Sequence, residues 1–435
     1  MAIDGVDEQK LLELQNTLLS PSDPIRSAEF LRGREGVLKD IRRHLSTKGR
    51  HVFIYGDRGV GKTSLAHTAA IQFHPSDSDP IRVAGAEGET FETIISSVVR
   101  RVYLKNAKPR KNEVEGKLGL ELISGLPISL AMKRTIDRGE APEIRSLNDA
   151  IEAIAYVSKC YSGVPVVVID EFDRFENDAD KRKFAELIKQ ISDQEINVKL
   201  IFCGIGESMH SLLGAHYSTG RAITPIELPR LDHESLIKIV TTAVNGVGLS
   251  IDHETSSRIA ILSDGFPYFA HLVTEKMIWQ AFDDENTITE ILLQHFGSGV
   301  DAAVTNAMAL LKETYEVATK KYSGSYEEVL WALVDKPTLT RQLQTIYNDS
   351  YLPIMSAIER KPMELRTFNN RLNSLKSESH GHILKSPKRS WFQFSENMVR
   401  GYVKLKAAEH RVDLGIDHHN SMAPASKKLA RDFYS

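Results

Sequence analysis

Residues 56–63 read Gly-Asp-Arg-Gly-Val-Gly-Lys-Thr, a complete match to G-x-x-x-x-G-K-[ST]. Few octapeptides constrain a chain as tightly. The glycines let the backbone curl until the N–H groups of Gly56, Asp57, Arg58, Gly59, Val60 and Gly61 converge on one anion. The helix that follows presents its positive end, with Ser64 in its first turn, to the same phosphates. Lys62 brings a point charge to the β/γ oxygens, and the Thr63 hydroxyl is a ligand for Mg²⁺. The arrangement requires a strand before the loop and a helix after it. HVFIY at 51–55 is β-rich, and KTSLAHTAAIQF at 62–73 is amphipathic. The expected ligands are ATP and Mg²⁺.

From this loop to about residue 230, strand-like and helix-like segments alternate, with buried-strand patterns at 164–169, 198–203 and 222–228. That alternation predicts an α/β fold, a P-loop NTPase parallel sheet flanked by helices. The run VVVIDEFDR puts Asp170 at the carboxyl end of its most apolar strand, where open α/β sheets bind ligands. Asp170 is therefore the candidate partner of Thr63 in holding Mg²⁺, and Glu171 the candidate to polarise the attacking water. Two solvated carboxylates at a strand end would look the same without the phosphate loop about a hundred residues earlier.

A chain of 435 residues exceeds one ordinary core. The pattern divides it into an N-terminal helix and linker (1–29), an ATPase core (30–230) with an insertion at about 106–145, a helical lid subdomain (231–299), a connecting helix (300–324), a C-terminal block (325–411) and a tail (412–435). Cys160 and Cys203 are too few for a disulfide framework and fit a reducing compartment. Stretches free of Asp, Glu, Lys and Arg run to no more than about 14 residues, short of a membrane span. The first fifteen residues carry acids where a signal peptide needs bases. A cytoplasmic protein is expected. His418 and His419, a lone pair in the polar tail, read as a solvated loop and not as a metal site.

Taken together, the loop GDRGVGKT, the strand end VVVIDEFDR and the segment FLRGRE resemble the AAA+ superfamily and the related STAND ATPases, nearest the origin-recognition-like initiators and their bacterial relatives. The resemblance spans roughly residues 28–282, with a weaker extension to about 410. It implies that Arg34, within Gly33-Arg34-Glu35, lies beside the adenine, and that Pro267, within Gly265-Phe266-Pro267, packs near the same ring. A proline near the start of a helix also accounts for Pro267 without a nucleotide. Relatives carry a polar sensor, often Asn, after the strand VKLIFC; this chain has Gly204-Ile205-Gly206-Glu207-Ser208, leaving Glu207 or Ser208 for that place. The resemblance further implies that Arg221 reaches the γ-phosphate of a neighbouring subunit, which would make the assembly a homo-oligomer with Lys62, Glu171 and Arg221 as its catalytic groups. An ordinary surface arginine, with Arg230 taking the role, is the alternative.

The net charge of −3 conceals an uneven distribution. Residues 361–411 hold 11 Lys+Arg and 4 Asp+Glu, a local +7, so the remainder carries about −10. Within that block, Glu364–Lys376 has helical apolar spacing through Leu365, Phe368, Leu372 and Leu375, and HILKSPKRSWFQF reads as a basic-tipped hairpin. A helix followed by such a hairpin resembles a winged helix, which AAA+ initiators also carry. Arg366, Arg371, Lys385, Lys388 and Arg389 are the candidate contacts to double-stranded DNA. Protein contact is the competing use of the same surface. The expected function is an ATP-hydrolysing switch controlling oligomerisation and engagement of DNA or an effector protein. The alternatives are an initiator or transposition-type regulator licensed by ATP, and a scaffold ATPase of a signalling or anti-phage system.

Overall fold

The computed structural model describes residues 3–19, 31–76, 78–106, 143–214, 219–320 and 324–415. The 20–30 linker, most of the expected insertion, His216–Ser218 and the tail with His418 and His419 lie outside the described residues. The chain forms two compact units. One comprises Pro24–Gly56 and Gly61–Pro229; the other comprises Met1–Asp23, Asp57–Val60 and Arg230–Ser435. Helix α1 (Glu8–Leu18) belongs to the latter.

The first unit is a parallel sheet sandwiched by helices. In chain order it contains α2 (Glu35–Ser46), β1 (His51–Tyr55), α3 (Lys62–Phe73), β2 (Ile81–Ala84), α4 (Phe91–Asn106), α5 (Leu147–Lys159), β3 (Val166–Asp170), α6 (Asp178–Asp193), β4 (Lys199–Gly204), α7 (Gly206–Gly214), α8 (Thr219–Ala222) and β5 (Ile223–Glu227). The strands lie in the order β2-β3-β4-β1-β5. Every pairing is parallel, with Val52 opposite Ile201 and Ile169 opposite Phe202. Strands β3 and β4 are buried at every residue, as their apolar runs require. Strand β2 was not among the expected strands. It is a four-residue edge strand carrying Arg82, too short and too polar to stand out.

Aromatic side chains from β1, β4, α6 and the turn after β3 fill the centre of this unit. Phe172 meets Phe53, Phe175, Phe184 and Phe202 at ring-centroid distances of 5.6, 5.2, 5.3 and 5.4 Å. Such edge and tilted pairs add about 0.5–1.5 kcal/mol each beyond area burial. They anchor the turn immediately after Asp170 and Glu171.

Buried histidines tie the strands at their amino ends. His51 Nδ1 accepts the Leu200 N–H at 3.1 Å, and His74 Nδ1 accepts the Val166 N–H at 2.9 Å. Burial, reinforced by the nearby Lys199 ammonium, lowers the His51 pKa to about 3. The native state therefore holds His51 neutral while the unfolded chain protonates it near 6.5. Its contribution is complete above about pH 6.5 and declines as pH falls toward 3, reaching a loss of about 2–3 kcal/mol by pH 4.5. Denaturant melts across this range should show that slope, and His51→Asn, which keeps an acceptor near Nδ1, should flatten it.

The second unit is mostly helical. After α1 come α9 (His233–Gly246), α10 (His253–Ser263), α11 (Pro267–Phe282), α12 (Leu293–Asn306), α13 (Ala309–Thr319), α14 (Ser325–Val334), β6 (Arg341–Gln342), α15 (Leu343–Ile346), α16 (Leu352–Ala357), α17 (Leu365–Ser374), β7 (Leu384–Lys385), β8 (Trp391–Phe394) and α18 (Val399–Glu409). Asp232 and Asp252 cap α9 and α10 by accepting the Ser235 and Thr255 N–H groups. The polar stretch expected as one helix over 300–324 is instead broken. Ala307 turns extended, and the Tyr268 hydroxyl accepts the Met308 N–H at 2.9 Å, so α12 stops and α13 starts anew.

The C-terminal part of this unit runs helix, short strand, three helices, hairpin, helix. Strand β8 pairs antiparallel with both β6 and β7, with Leu384 opposite Phe394 and Lys385 opposite Gln393. Phe368, Leu372 and Leu375 are buried on one face of α17 and its end, as the apolar spacing predicts. Helix α18 then lies hard against α11. A Cβ at Gly401 would fall 2.2 Å from the Phe269 ring, so no larger residue fits there.

Candidate nucleotide site

Gly59 and Gly61 adopt φ of 78° and 95°, left-handed values that curl the 56–63 loop between β1 and α3. Gly61 is the N-cap of α3, and no side chain caps that helix. Lys62 Nζ reaches back to the Gly56 carbonyl at 3.0 Å. Thr63 and Ser64 occupy the first turn of α3. The lysine and the helix start thus bracket a loop shaped for a chain of phosphates.

Asp170 is the last residue of β3 and is buried, with its Oδ1 accepting the Glu171 N–H at 2.8 Å. Cys203 on β4 links the two halves. Its sulfur lies 3.9 Å from the Lys62 carbonyl oxygen, and the Asp170 carboxylate lies beside it. Burial and the adjacent Asp170 carboxylate push the Cys203 pKa well up, so the group stays a thiol and donates. Sequence reasoning read Cys203 only as a buried thiol. Its place beside Asp170 follows from β3–β4 register, with Ile169 opposite Phe202.

Glu171 stands in the left-handed region at φ 51°. Its backbone is boxed in. Gly85 donates its N–H to the Asp170 carbonyl at 2.9 Å, and a Cβ on Gly85 would fall 2.7 Å from the Glu171 carbonyl oxygen. The Glu171 carboxylate is half-exposed and pairs with Arg174, Nε to Oε2, at 2.8 Å. Among the described residues no cluster of three His, Cys, Asp or Glu side chains is positioned to hold a metal ion. A hydroxyl and one strand-end carboxylate suit Mg²⁺, which keeps waters and takes phosphate oxygens for the rest of its shell. When bound, that ion would neutralise charge on the phosphates.

The remaining candidates fall in several places. Arg34 is buried at the start of α2, with its guanidinium donating to the Pro229 carbonyl. Gly33 beside it is left-handed at φ 70°. Ser208 bonds the backbone of Ile205, at 3.2 Å to N and 2.9 Å to O, and so closes its own turn; Glu207 is exposed. Arg221 is exposed on α8, just before β5. Pro267 opens α11 at its first position.

In the second unit, the loop tip Asp57–Val60 packs on the turn that leads into α18. Asn397 Nδ2 donates to Asp57 Oδ2 at 3.1 Å, while its own Oδ1 is buried with no hydrogen-bond partner. Met398 covers Gly59 so closely that a Cβ there would lie 2.7 Å from its sulfur. The same unit contains a buried charge cluster around Asp264. Arg400 Nε, Arg230 Nη1 and Lys404 Nζ all stand 2.7 Å from its carboxylate oxygens. Arg230 also donates to the Pro337 carbonyl, so its guanidinium is engaged within this unit. None of these contacts carried a local sequence signal, since the partners are 34 to 340 residues apart.

Of the basic residues in the C-terminal block, Arg366, Lys385, Lys388 and Arg389 are exposed. Arg371 is half-buried, its guanidinium 4.5 Å over the Tyr326 ring. Lys388 sits 3.9 Å over Trp391 at the hairpin tip.

The sequence profile of the AAA ATPase domain family matches residues 31–201. No curated protein sequence matches the chain. Among solved structures, a Walker-type ATPase of Pyrococcus abyssi superposes with a TM-score of 0.52 at 15% identity, covering 88% of this chain and 99% of that one. The ORC2 protein of Aeropyrum pernix, in ADPNP–ADP complexes, gives 0.46 at 15% identity over 89% and 98% of the two chains. The RuvB Holliday junction branch migration motor of Thermotoga maritima gives 0.41 at 14% over 89% and 98%. The sheet unit thus has the AAA+ P-loop NTPase fold, and its residues up to 201 are similar to the AAA ATPase domain. Among the described residues no helix is long and apolar enough to cross a membrane.

Proposed function

We propose that the protein is an ATP-binding and ATP-hydrolysing switch whose nucleotide state is read by its C-terminal block. The observation that carries the ATPase half is Cys203, whose sulfur contacts the Lys62 carbonyl while the β3–β4 register sets it beside Asp170, so that phosphate loop and strand-end carboxylate lie together. Lys62 and the loop amides bind the phosphates, Thr63 and Asp170 hold Mg²⁺, and Glu171 takes the proton of the attacking water. Arg221, exposed before β5, completes the site of a neighbouring copy in a homo-oligomer. Arg34 and Pro267 serve the base. The switch half rests on the loop tip, because Asn397 and Met398 of the C-terminal block hold Asp57 and Gly59 directly.

The domain organisation we infer is a nucleotide core, a helical lid and a C-terminal winged helix in a cytoplasmic protein. Its output is engagement of double-stranded DNA, supported by Arg366, Lys385, Lys388 and Arg389 standing exposed around α17 and the hairpin. A protein partner in place of DNA is supported by a different surface, the exposed Met308, Leu310 and Val317 at and along α13.

ATP hydrolysis by the full chain, measured at steady state against Lys62→Ala, tests the first half. Filter binding of duplex DNA over a salt series, with and without an ATP analogue, tests the second. Each phosphate contact contributes about 0.9 to the salt slope, so the joint substitution Lys388→Glu and Arg389→Glu should lower it by about 2. An unchanged slope would remove DNA from the reading and leave the protein partner.

A further inference from the structure

We infer that a pocket between α13, α14 and α18 is a binding site for a guanidinium group, carried by an arginine of a partner chain or by a free guanidino compound. The pocket has a volume of about 240 Å³. Sites for drug-sized ligands run to about 300–1,000 Å³, so this one suits a single side chain and not a nucleotide.

Two buried tyrosines form its inner wall. Tyr315 on α13 and Tyr402 on α18 are 3% and 4% exposed and meet edge to face, with ring centroids 5.6 Å apart. The Tyr315 hydroxyl donates to Glu327 Oε1 at 2.8 Å and so ties α13 to the first turn of α14. Burial, with the Glu327 carboxylate next, pushes the Tyr315 pKa well up, which keeps that hydroxyl a donor. The three helices are thus braced around the pocket before anything enters it.

The Tyr402 hydroxyl has no such anchor. Among the described residues it finds no hydrogen-bond partner, although its ring is buried and lines the pocket. A buried phenol ordinarily satisfies its hydroxyl, so this one is left for an occupant. Burial, then the carboxylates of Glu409 and Glu316, push its pKa up to about 12, so it enters any contact uncharged.

Charge decides what that occupant is. The lysines at the pocket are already matched: Lys320 pairs with Glu316, and Lys406 with Glu409. Glu327 is different. Among the described residues its carboxylate meets no cation, only the neutral Tyr315 hydroxyl. The pocket therefore offers one uncompensated negative charge, a second acceptor on Tyr402 and aromatic surface. A guanidinium answers all three, with several N–H donors in one plane, a positive charge and a flat, weakly hydrated face that packs on aromatic rings. An ammonium is a compact, strongly hydrated point charge and uses the rings less well. An anion would meet Glu327 with no lysine left to receive it.

The test is a ligand-observed NMR titration of the full chain with N-acetyl-L-arginine amide, L-arginine and N-acetyl-L-lysine amide. The arginine amide should bind with a dissociation constant on the order of 1 mM, as suits a probe of this size, and more tightly than the lysine amide. Tighter binding of the amide than of L-arginine assigns the site to an arginine within a partner chain; the reverse assigns it to a free guanidino compound. Glu327→Gln keeps an acceptor for Tyr315 but removes the charge, and should weaken binding about tenfold. Tyr402→Phe should weaken it about threefold. Both variants should melt at the wild-type temperature. Failure of both arginine probes to bind saturably, equal binding of the lysine amide, or binding that survives Glu327→Gln and Tyr402→Phe unchanged would overturn the assignment.

Discussion

Glu171→Gln is expected to lower ATP turnover by about 100-fold or more while leaving ATP binding intact, whereas Lys62→Ala should lose both. The contrast follows from where each group acts. Lys62 reaches across the loop to the Gly56 carbonyl and lies where phosphate oxygens would replace that partner, so its charge serves the ground state and the transition state alike. The Glu171 carboxylate pairs with Arg174, and in the proposed mechanism it acts on the water alone. A positioned proton acceptor is worth about 10²–10⁴-fold, and Gln keeps its shape while losing basicity. Equilibrium binding of a fluorescent ATP analogue beside a phosphate-release assay separates the two. If Glu171→Gln keeps wild-type turnover, hydrolysis does not run through the β3 strand end.

Asp264→Ala should destabilise the helical unit by about 3–5 kcal/mol, because it leaves two buried cations and the partly exposed Arg230 around an absent anion. Arg400 is wholly buried, and Lys404 and Asp264 nearly so. Carbonyls share the load: Arg400 donates to the Lys336 oxygen at 2.8 Å and Lys404 to the Ile261 oxygen at 3.1 Å. Neither carbonyl replaces a full negative charge. Burial alone would raise the Asp264 pKa, but Arg400, Lys404 and Arg230 together bring it down to about 2. A carboxyl held that low stabilises the fold fully above its unfolded value near 3.8, and the contribution is lost as pH falls toward 2. Asp264 also ends α10 with a left-handed φ of 48°, which Asn tolerates. Asp264→Asn thus isolates the charge: denaturant melts near neutral pH should show most of the Ala effect, and the acid-range slope should shrink. If Asp264→Asn melts like wild type, the cluster contributes shape and not charge.

Much of the sheet unit was legible because its signals are local. HVFIY maps onto β1 residue for residue, and the other three expected strands lie within about two residues of β3, β4 and β5, a normal boundary error. The loop glycines announce their conformations by identity, and Asp170 announces its place by ending an apolar run. What stayed hidden depended on neighbours remote in sequence. Strand β2 is a strand because β3 lies beside it, not because IRVA prefers to be one. The break at Ala307–Met308 is made by a hydroxyl from Tyr268. Arg230 is held by Asp264, a partner 34 residues away.

By itself the amino-acid sequence determined the chemistry available: a phosphate loop, a strand-end carboxylate pair, and a basic C-terminal block balanced by an acidic remainder. Those are properties of residue identity and short-range spacing, where backbone geometry and periodicity act within a few residues. Only the tertiary structure decided which groups are free to use that chemistry. Strand register set Cys203 against Asp170, and packing of α18 brought Asn397 to Asp57 from 340 residues away. Contacts of that kind depend on which surfaces the folded core brings together, and no local pattern encodes them.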